Sequence, residues 1–336
     1  MTENTSKLIQ NKLHVAVTGC AGYIGSILCR ELLIRGFKVK ALDNLMFGGE
    51  SIANLFNHPN FEFCRGDVRK TKDIDNLVTN NISAIIHLAA IVGDLSCQKN
   101  EILAKQVNFE ATVRLAEIAK KRGIKLFIFP SSCSVYGISN PNEYVNENHQ
   151  PHPVSYYAET KLECENVLVN LTDSRFNPVI FRIATAYGVS GRTRFDLLIN
   201  SWTFEALKNC VISVYSPNVW RPFIHIVDIA NILIKCLSMP IEKISGEIFN
   251  AGSTEENYQK IDIAEIICKI IPQTEIIFDN NFRDNRTYKV DFNKIKKIFN
   301  FNNSYTINLG ILELAKAISL GLLTVENYER NRSNIE

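Results

Sequence analysis

The 336-residue chain is long enough for one large domain or two lobes, and its 46% hydrophobic and 21% charged residues are typical of globular proteins. The 37 lysines and arginines nearly balance the 35 aspartates and glutamates, which argues against a nucleic-acid or membrane-surface binder. Residues 1–12 are polar and no apolar run of about 18 residues follows, so we expect neither a signal peptide nor a transmembrane helix.

Short β-branched apolar runs alternate with amphipathic stretches through the first half of the chain. They predict strands at 13–18, 38–43, 61–65, 84–88, 125–130 and 177–182, and helices at 23–35, 101–121 and 155–171. Strand–helix–strand units of this length favour a doubly wound parallel sheet. After Gly188 the predicted strands are short, at 211–215, 223–226, 247–250 and 275–278, and helices dominate, which indicates a smaller mixed α/β lobe.

A glycine-rich turn follows the first strand and opens the first helix, with Gly19, Gly22, Tyr23, Ile24 and Gly25. Glycines let a pyrophosphate approach the backbone, and the helix N-terminus offers free N–H groups to the phosphates. We therefore predict a dinucleotide site at this turn.

Two acidic strand ends extend the predicted dinucleotide site. Asp43 can accept both adenosine ribose hydroxyls, and the following Asn44 brings no cation for a 2′-phosphate, so we expect NAD rather than NADP. Asp67 and Val68 follow the third strand and suit adenine recognition, with Asp67 accepting the exocyclic amine.

Tyr157 and Lys161 are four residues apart, and therefore lie on one face of a predicted helix. An ammonium beside a phenol, together with a positive nicotinamide ring, favours the phenolate and lowers its pKa from about 10. The pair alone arises often by chance, but Ser132 ends an earlier strand at the sheet edge where ligands bind. Ser132 could hold a reacting oxygen beside the phenol, so we predict an oxidoreductase site.

In combination, these motifs resemble the extended short-chain dehydrogenase/reductase family, and most nearly its sugar-nucleotide epimerase/dehydratase branch. The similarity covers about Lys12 to Gly321 and rests on the glycine turn, His87-Leu-Ala-Ala90, Ser131-Ser-Cys-Ser-Val-Tyr-Gly137 and Tyr157…Lys161. The resemblance implies that Ser132, Tyr157 and Lys161 are catalytic and that Tyr157 and Lys161 also contact the cofactor. It further implies that the cofactor is lined by Leu88, Ala89 and Ala90. Asn108 matches a family asparagine, although a role in helix structure is an equal alternative.

The predicted fold class is therefore α/β, with a doubly wound parallel Rossmann sheet and a smaller mixed α/β C-terminal substrate lobe. The NAD-binding Rossmann domain would span 1–188, with 226–250 returning to it. The substrate-binding lobe would comprise 189–225 and 251–336.

Substrate recognition is expected from polar residues of the second half of the chain. Arg221 and Arg286 lie in segments that resemble those in which family members grip a substrate diphosphate, and guanidinium forks suit phosphate oxygens. Arg192 and Arg194 are candidate phosphate or base contacts. Thr185 replaces a frequent family asparagine and is expected at the substrate.

The reaction type depends on the residues after Ser132. Dehydratases of the resembled family have an acid pair there, but this chain has Cys133 and Ser134, so elimination lacks its general acid. We predict an NAD-dependent sugar-nucleotide epimerase-type oxidoreductase that works through a 4-keto sugar intermediate. The open alternative is a net C4 dehydrogenase or ketoreductase on a nucleotide-activated hexose or heptose; a 4,6-dehydratase and a non-catalytic NAD-binding module are disfavoured.

The expected partners follow from the same observations. The substrate would be a nucleotide-diphosphate sugar, with no nucleic-acid or membrane partner, and the resemblance suggests a homodimer joined by the helices at 101–121 and 155–171. Nine scattered cysteines without paired spacing favour a reducing, cytoplasmic location and predict no metal site. His225 is predicted to be a structural partner of Asp228.

Overall fold

A computed structural model describes residues 13–328. The predicted domain ends and the polar N-terminal stretch, at 1–12 and 329–336, lie outside the described residues. Within 13–328, no helix has the length and apolar character needed to cross a membrane.

Strands form the centre of the structure and a smaller second layer. In chain order they are β1 (His14–Thr18), β2 (Lys38–Asp43), β3 (Phe61–Arg65), β4 (Ala84–His87), β5 (Leu126–Ser132), β6 (Tyr144–Val145), β7 (Asn177–Ile183), β8 (Thr185–Tyr187), β9 (Val211–Val214), β10 (Trp220–His225), β11 (Ile248–Ala251), β12 (Asn257–Gln259), β13 (Glu275–Phe278) and β14 (Lys289–Val290).

Helices connect most of these strands. In chain order they are α1 (Tyr23–Ile34), α2 (Thr71–Leu77), α3 (Asp94–Lys99), α4 (Glu101–Ala104), α5 (Ala111–Lys121), α6 (Tyr156–Leu171), α7 (Leu198–Asn209), α8 (Ile226–Cys236), α9 (Lys260–Ile270), α10 (Asn293–Phe299) and α11 (Ile307–Ser319).

Seven parallel strands form the central sheet in the order β11-β7-β5-β4-β1-β2-β3. Thr18 at the end of β1 pairs with Leu42 of β2 on one side and with His87 of β4 on the other. The chain order reverses between β1 and β4, and in such sheets a crevice for ligands opens there, outside the carboxyl ends of the strands. This sheet confirms the predicted doubly wound fold class.

Apolar residues on both faces of the sheet explain why helices cover it on both sides. Val15 and Val17 of β1 are fully buried in a core with α1 and α8, whereas Ala16 faces a second core with α2, α5 and α6. The alternation follows from the two-residue period of a strand, whose successive side chains point to opposite faces.

A third core lies under the second half of the chain. Trp202, Ile263 and Ile311 bring together α7, α9 and α11, and they pack beside the sheet β12-β10-β8 and the pair β13-β9. Strand β11 instead joins the central sheet through β7. The domain boundaries stated above stay a prediction.

Two local features differ from the sequence prediction. The helix expected over 101–121 is divided by a π-helical segment, Lys105–Glu110, in which the backbone hydrogen bonds join residues five positions apart instead of four. The predicted pairing of His225 with Asp228 is wrong. His225 Nε2 lies 2.8 Å from Glu313, while Asp228 accepts hydrogen bonds from the backbone N–H groups of Ser304 and Tyr305.

Candidate active site

The glycine turn forms a tight corner between β1 and α1. Gly19 has φ +72°, and a Cβ added there would lie 2.7 Å from the Ala89 backbone nitrogen. A Cβ on Gly25 would lie 2.1 Å from the Gly19 carbonyl oxygen. A side chain at Gly19 would therefore push the turn away from the backbone that follows β4, and a side chain at Gly25 would push α1 away from the turn. Because Gly22 caps α1 without a side-chain hydrogen bond, the first N–H groups of the helix are left for a ligand.

Asp43 and Asp67 lie at the carboxyl ends of neighbouring strands. Asp43 accepts hydrogen bonds from the backbone N–H groups of Ala21 (3.0 Å) and Leu45 (2.8 Å), while burial raises its pKa. Asp67 accepts hydrogen bonds from Arg69 Nη2 at 2.6 Å and from Arg69 Nε at 3.0 Å, and this interaction lowers the pKa of Asp67. Asp43 is thus held rigidly by the turn, whereas Asp67 already has a cationic partner.

A cavity of about 420 Å³ opens at the switch point of the sheet. It brings together the residues predicted for the dinucleotide from the turn and from three strand ends. These are Gly19, Gly22, Tyr23, Ile24, Gly25, Asp43, Asn44, Asp67, Val68, Leu88, Ala89 and Ala90. Arg192, Arg194 and Asp196 line it from the second half of the chain.

Ser132, Tyr157 and Lys161 form a group that is not among the cavity-lining residues of the described chain but is linked to the cavity through Arg194, which lines it and acts on the Tyr157 phenol. Ser132 ends β5, and its Oγ accepts a hydrogen bond from Ser134 Oγ at 2.9 Å; the same side chain is near enough to Tyr157 to act against the raised pKa of the phenol. Lys161 Nζ donates to the Pro130 carbonyl oxygen at 2.9 Å and lies 5.9 Å from the centre of the Tyr157 ring. The structure therefore brings the three predicted catalytic residues to one place.

The electrostatics of Tyr157 differ from the sequence expectation. Burial raises the pKa of the phenol, and the cation that opposes burial most is Arg194, not Lys161. Burial also lowers the pKa of Lys161, because its ammonium is enclosed next to Phe129. The protein alone therefore keeps the phenol protonated, and ionisation requires further positive charge at the site.

Asn108 lies in the π-helical segment and is 2% exposed. Its side chain accepts from the Ile91 N–H at 2.8 Å and donates to the Ile91 carbonyl at 2.9 Å. It therefore fixes the loop after β4 that lines the cavity, which neither a purely helical role nor a catalytic role would have suggested.

Arg221 and Arg286 converge on one carboxylate, Asp284. Arg221 Nη2 lies 2.8 Å from Asp284 Oδ2, and Arg286 Nε lies 2.9 Å from Asp284 Oδ1. Lys260 Nζ adds a third cation, 3.1 Å from Oδ2. Burial would raise the pKa of Asp284, but the three cations outweigh it and hold that pKa well below its usual range. Arg286 also pairs with Asp94, at the start of α3.

The other substrate candidates are distributed differently. Arg194 lines the cavity and pairs with Asp196, Nε to Oδ1 at 3.0 Å. Thr185 pairs with Phe223 in the three-stranded sheet and is not among the cavity-lining residues of the described chain. Arg192 lies over the Phe47 ring and not with Arg221.

Sequence reasoning did not identify Asp94, Asp284 or Lys260 as parts of this region. The only available signal was the acid two positions before Arg286, which a search for cations alone overlooks.

A family model described as the NAD-dependent epimerase/dehydratase family matches residues 15–252. The chain belongs to this family. Members of the NAD-dependent epimerase/dehydratase family are enzymes, and the glycine corner and Asp43 in this chain fit the cofactor. A Cβ at Gly19 or Gly25 would clash with the backbone that closes this corner, so both glycines are needed to hold the helix N-terminus where the phosphates would approach.

Two curated relatives and one solved structure are similar over most of this family member. UDP-glucose 4-epimerase of Bacillus subtilis (strain 168) is 27% identical over 278 residues, 76% of this chain and 81% of the relative. UDP-glucuronate 4-epimerase of Thermodesulfobacterium geofontis (strain OPF15) is 28% identical over 309 residues, 88% and 93% of the two chains. The structure of UDP-glucuronic acid 4-epimerase from Bacillus cereus with UDP-glucuronic acid and NAD is 27% identical, with a TM-score of 0.80 over 92% of this chain and 99% of that chain.

Proposed function

We propose that this enzyme is a sugar-nucleotide 4-epimerase that acts through a 4-keto sugar intermediate. The observation that carries the proposal is the grouping of Tyr157 and Lys161, with Lys161 Nζ 5.9 Å from the centre of the Tyr157 ring, next to Ser132 and within electrostatic reach of the cavity-lining Arg194. The 4-epimerase names of the relatives support the choice of the sugar carbon.

Each side chain of this group has a distinct task. Tyr157 Oη takes the proton of the sugar C4 hydroxyl and later returns one to the C4 oxygen. Ser132 Oγ donates a hydrogen bond that positions the same oxygen. Lys161, anchored by the Pro130 carbonyl, holds a positive charge behind the Tyr157 ring. Bound NAD would supply the hydride acceptor and donor.

The residues after Ser132 disfavour loss of water. Cys133 is buried, with its Sγ donating to the Arg182 carbonyl, and Ser134 donates to Ser132. Neither can act as a carboxylic acid towards a C6 hydroxyl, so hydride transfer without elimination is the supported reaction.

For the substrate, we propose a nucleoside-diphosphate hexose, and UDP-glucose and UDP-glucuronic acid are the first candidates because relatives are named for them. Arg221 and Arg286 would bind the diphosphate, which is the ligand best matched to two converging guanidinium groups. Arg194 would approach the sugar, and Thr185 stays a proposed substrate contact.

We also propose a homodimer in a reducing cytoplasm. Ile102 of α4 is 75% exposed and Val169 of α6 is 39% exposed, which supports an apolar contact between the helices predicted for the interface. The cysteines of the described chain are free thiols, as a reducing compartment requires. Sedimentation of the purified protein tests the dimer.

The function is tested by incubating the enzyme with UDP-, GDP-, CDP- and dTDP-sugars while following absorbance at 340 nm and products by NMR. A C4 epimer without accumulation of NADH is the expected result. Accumulating NADH would instead indicate the net dehydrogenase, and loss of the C6 hydroxyl would contradict the argument from Cys133 and Ser134.

A further inference from the structure

The loop of residues 188–196, here called the 188–196 loop, is fixed against the start of α1. Tyr23 Oη donates to the Gly188 carbonyl at 2.7 Å and accepts from Asn200 Nδ2 at 3.0 Å. Tyr23 belongs to the glycine turn, so this end of the loop is tied to the phosphate side of the cofactor cavity. Arg192 and Arg194 of the loop line that cavity.

The other side of the loop contacts the segment after β2. The guanidinium carbon of Arg192 lies 3.6 Å from the centre of the Phe47 ring, and both residues line the cavity. Gly191 lies directly against Ser51, since an added Cβ would be 2.8 Å from the Ser51 Cα. Ser51 Oγ in turn donates to the Ala21 carbonyl at 2.7 Å, within the glycine turn.

Arg192 also acts on Asp43, the residue proposed to bind the adenosine ribose. Burial raises the pKa of Asp43, and Arg192 is the cation that acts against this increase. The guanidinium therefore lies within electrostatic reach of the carboxylate, at the adenosine side of the cavity. No residue close to Asp43 in sequence supplies this charge; it comes from a loop about 150 positions later.

We propose that Arg192, stacked on Phe47, is a cofactor-retaining residue that closes the adenosine side of the cavity and slows the release of NAD. This proposal rests on the proposed placement of NAD in the cavity. An epimerase regenerates its NAD in every cycle, so slow release lets one bound cofactor serve many turnovers. The 188–196 loop must lift from Phe47 and Ser51 before the adenosine can leave.

The rate of cofactor release tests this directly. Enzyme loaded with NADH is diluted into excess NAD, and the loss of bound NADH fluorescence is followed. Arg192→Ala and Phe47→Leu should each release NADH about tenfold faster, within the range of a partly desolvated cation–π contact. The double variant should be no faster than the faster single variant, because the two side chains act as one unit. Arg192→Lys should be intermediate, since an ammonium lacks the planar stacking surface.

A second variant disturbs the loop without changing charge. Gly191→Ala forces the loop away from the Ser51 backbone and should also speed release. Arg30→Ala, at an exposed position on α1, is the matched control and should release NADH at the wild-type rate. Thermal unfolding checks that each variant is folded.

The outcomes separate the two levels of the proposal. Release at the wild-type rate from both Arg192→Ala and Phe47→Leu would overturn cofactor retention while leaving the NAD site intact. Multiplicative effects in the double variant would contradict the pairing. A wild-type enzyme that binds no NADH would overturn the cofactor placement itself.

Discussion

Arg286, in the loop before β14, forms an ion pair with Asp94 at the start of α3. The loop that leads into α3 carries Leu88, Ala89 and Ala90 at the cofactor cavity. This ion pair therefore connects Arg286, which we propose binds the substrate diphosphate, to the loop at the proposed cofactor site. Since Asp284 binds the other edge of the guanidinium, the proposed diphosphate would compete with Asp94 for Arg286.

Replacing Asp94 by Asn should therefore improve substrate binding. The two side chains are 31% and 29% exposed, so the pair is worth at most about 1 kcal/mol, and the KM for the UDP-sugar should fall about two- to fivefold. Steady-state kinetics at fixed ionic strength measure this change. Asp75→Asn, which breaks the exposed pair with Arg122, is the control with an unchanged KM. A higher KM in Asp94→Asn would mean that Asp94 holds the substrate instead.

Arg221→Ala should raise the KM for the UDP-sugar about tenfold or more, because a charged hydrogen-bonding partner of the diphosphate is lost. NADH binding, measured by fluorescence titration, should change less than about twofold. Arg221→Lys keeps a positive charge beside the buried Asp284 and therefore controls for a folding defect caused by loss of that ion pair. Equal weakening of substrate and cofactor binding would argue against the assigned role.

Tyr157→Phe should lower kcat by a factor of about 10²–10⁴, the usual contribution of a positioned acid–base group, while NADH binding persists. The neighbouring Tyr156→Phe is the matched control, since Tyr156 makes no contact with Ser132 among the described interactions. Full activity of Tyr157→Phe would rule out the proposed proton transfer.

The pH profile should respond to Arg194. Its cation stabilises the Tyr157 phenolate, so removing it in Arg194→Gln raises the pKa of the phenol further. A base that needs a higher pH to ionise moves the acidic limb of kcat/KM to higher pH, and activity at pH 7 falls. Profiles of the wild type and the variant between pH 6 and 10 decide the point. An unchanged limb would show that another group limits the rate.

Glu256 predicts a pH-dependent stability. Burial raises its pKa to about 7, with Glu255 and Asp228 acting in the same direction. A carboxyl with a raised folded pKa loses stability as pH increases from about 4.5 to 7, because the unfolded chain ionises first. Glu256→Gln should therefore raise Tm by about 2–4 °C at pH 8 and much less at pH 5. Glu255→Gln, whose carboxylate is exposed and bonded to Ser253, should show no such gain.

The sequence predicted the fold well where local signals and function coincide. Strands 38–43, 61–65 and 275–278 have the predicted bounds, because each short run containing apolar residues there is followed directly by a turn-forming residue, Asn44, Gly66 or Asp279. The glycine turn, Asp43 and the Tyr157–Lys161 spacing are likewise local patterns, and the comparisons confirmed the family that they indicated.

Contacts between distant residues could not be predicted. Arg286 and Asp94 are 192 positions apart, and only the tertiary fold makes them neighbours. His225 was assigned to the nearest acid in sequence, Asp228, although Glu313 reaches it in space. Asn108 likewise bonds to the backbone of Ile91, 17 positions earlier, and a local pattern in the sequence does not reveal such a contact.

The edge strand β11 has a consequence for synthesis. This strand pairs with β7, and its Phe249 stacks on Phe181 of β7. Between β7 and β11, however, the chain forms β8, β9 and β10 of the smaller sheets. Helix α8, which packs against α1 in the same core, also lies in the chain after β8, β9 and β10. A nascent chain that has left the ribosome only as far as Gly188 therefore exposes the Phe181 face of its sheet. That face also packs against Phe299 of α10, so translation must proceed through this helix before the core around the sheet can close, and a chain truncated before it should aggregate rather than bind NAD.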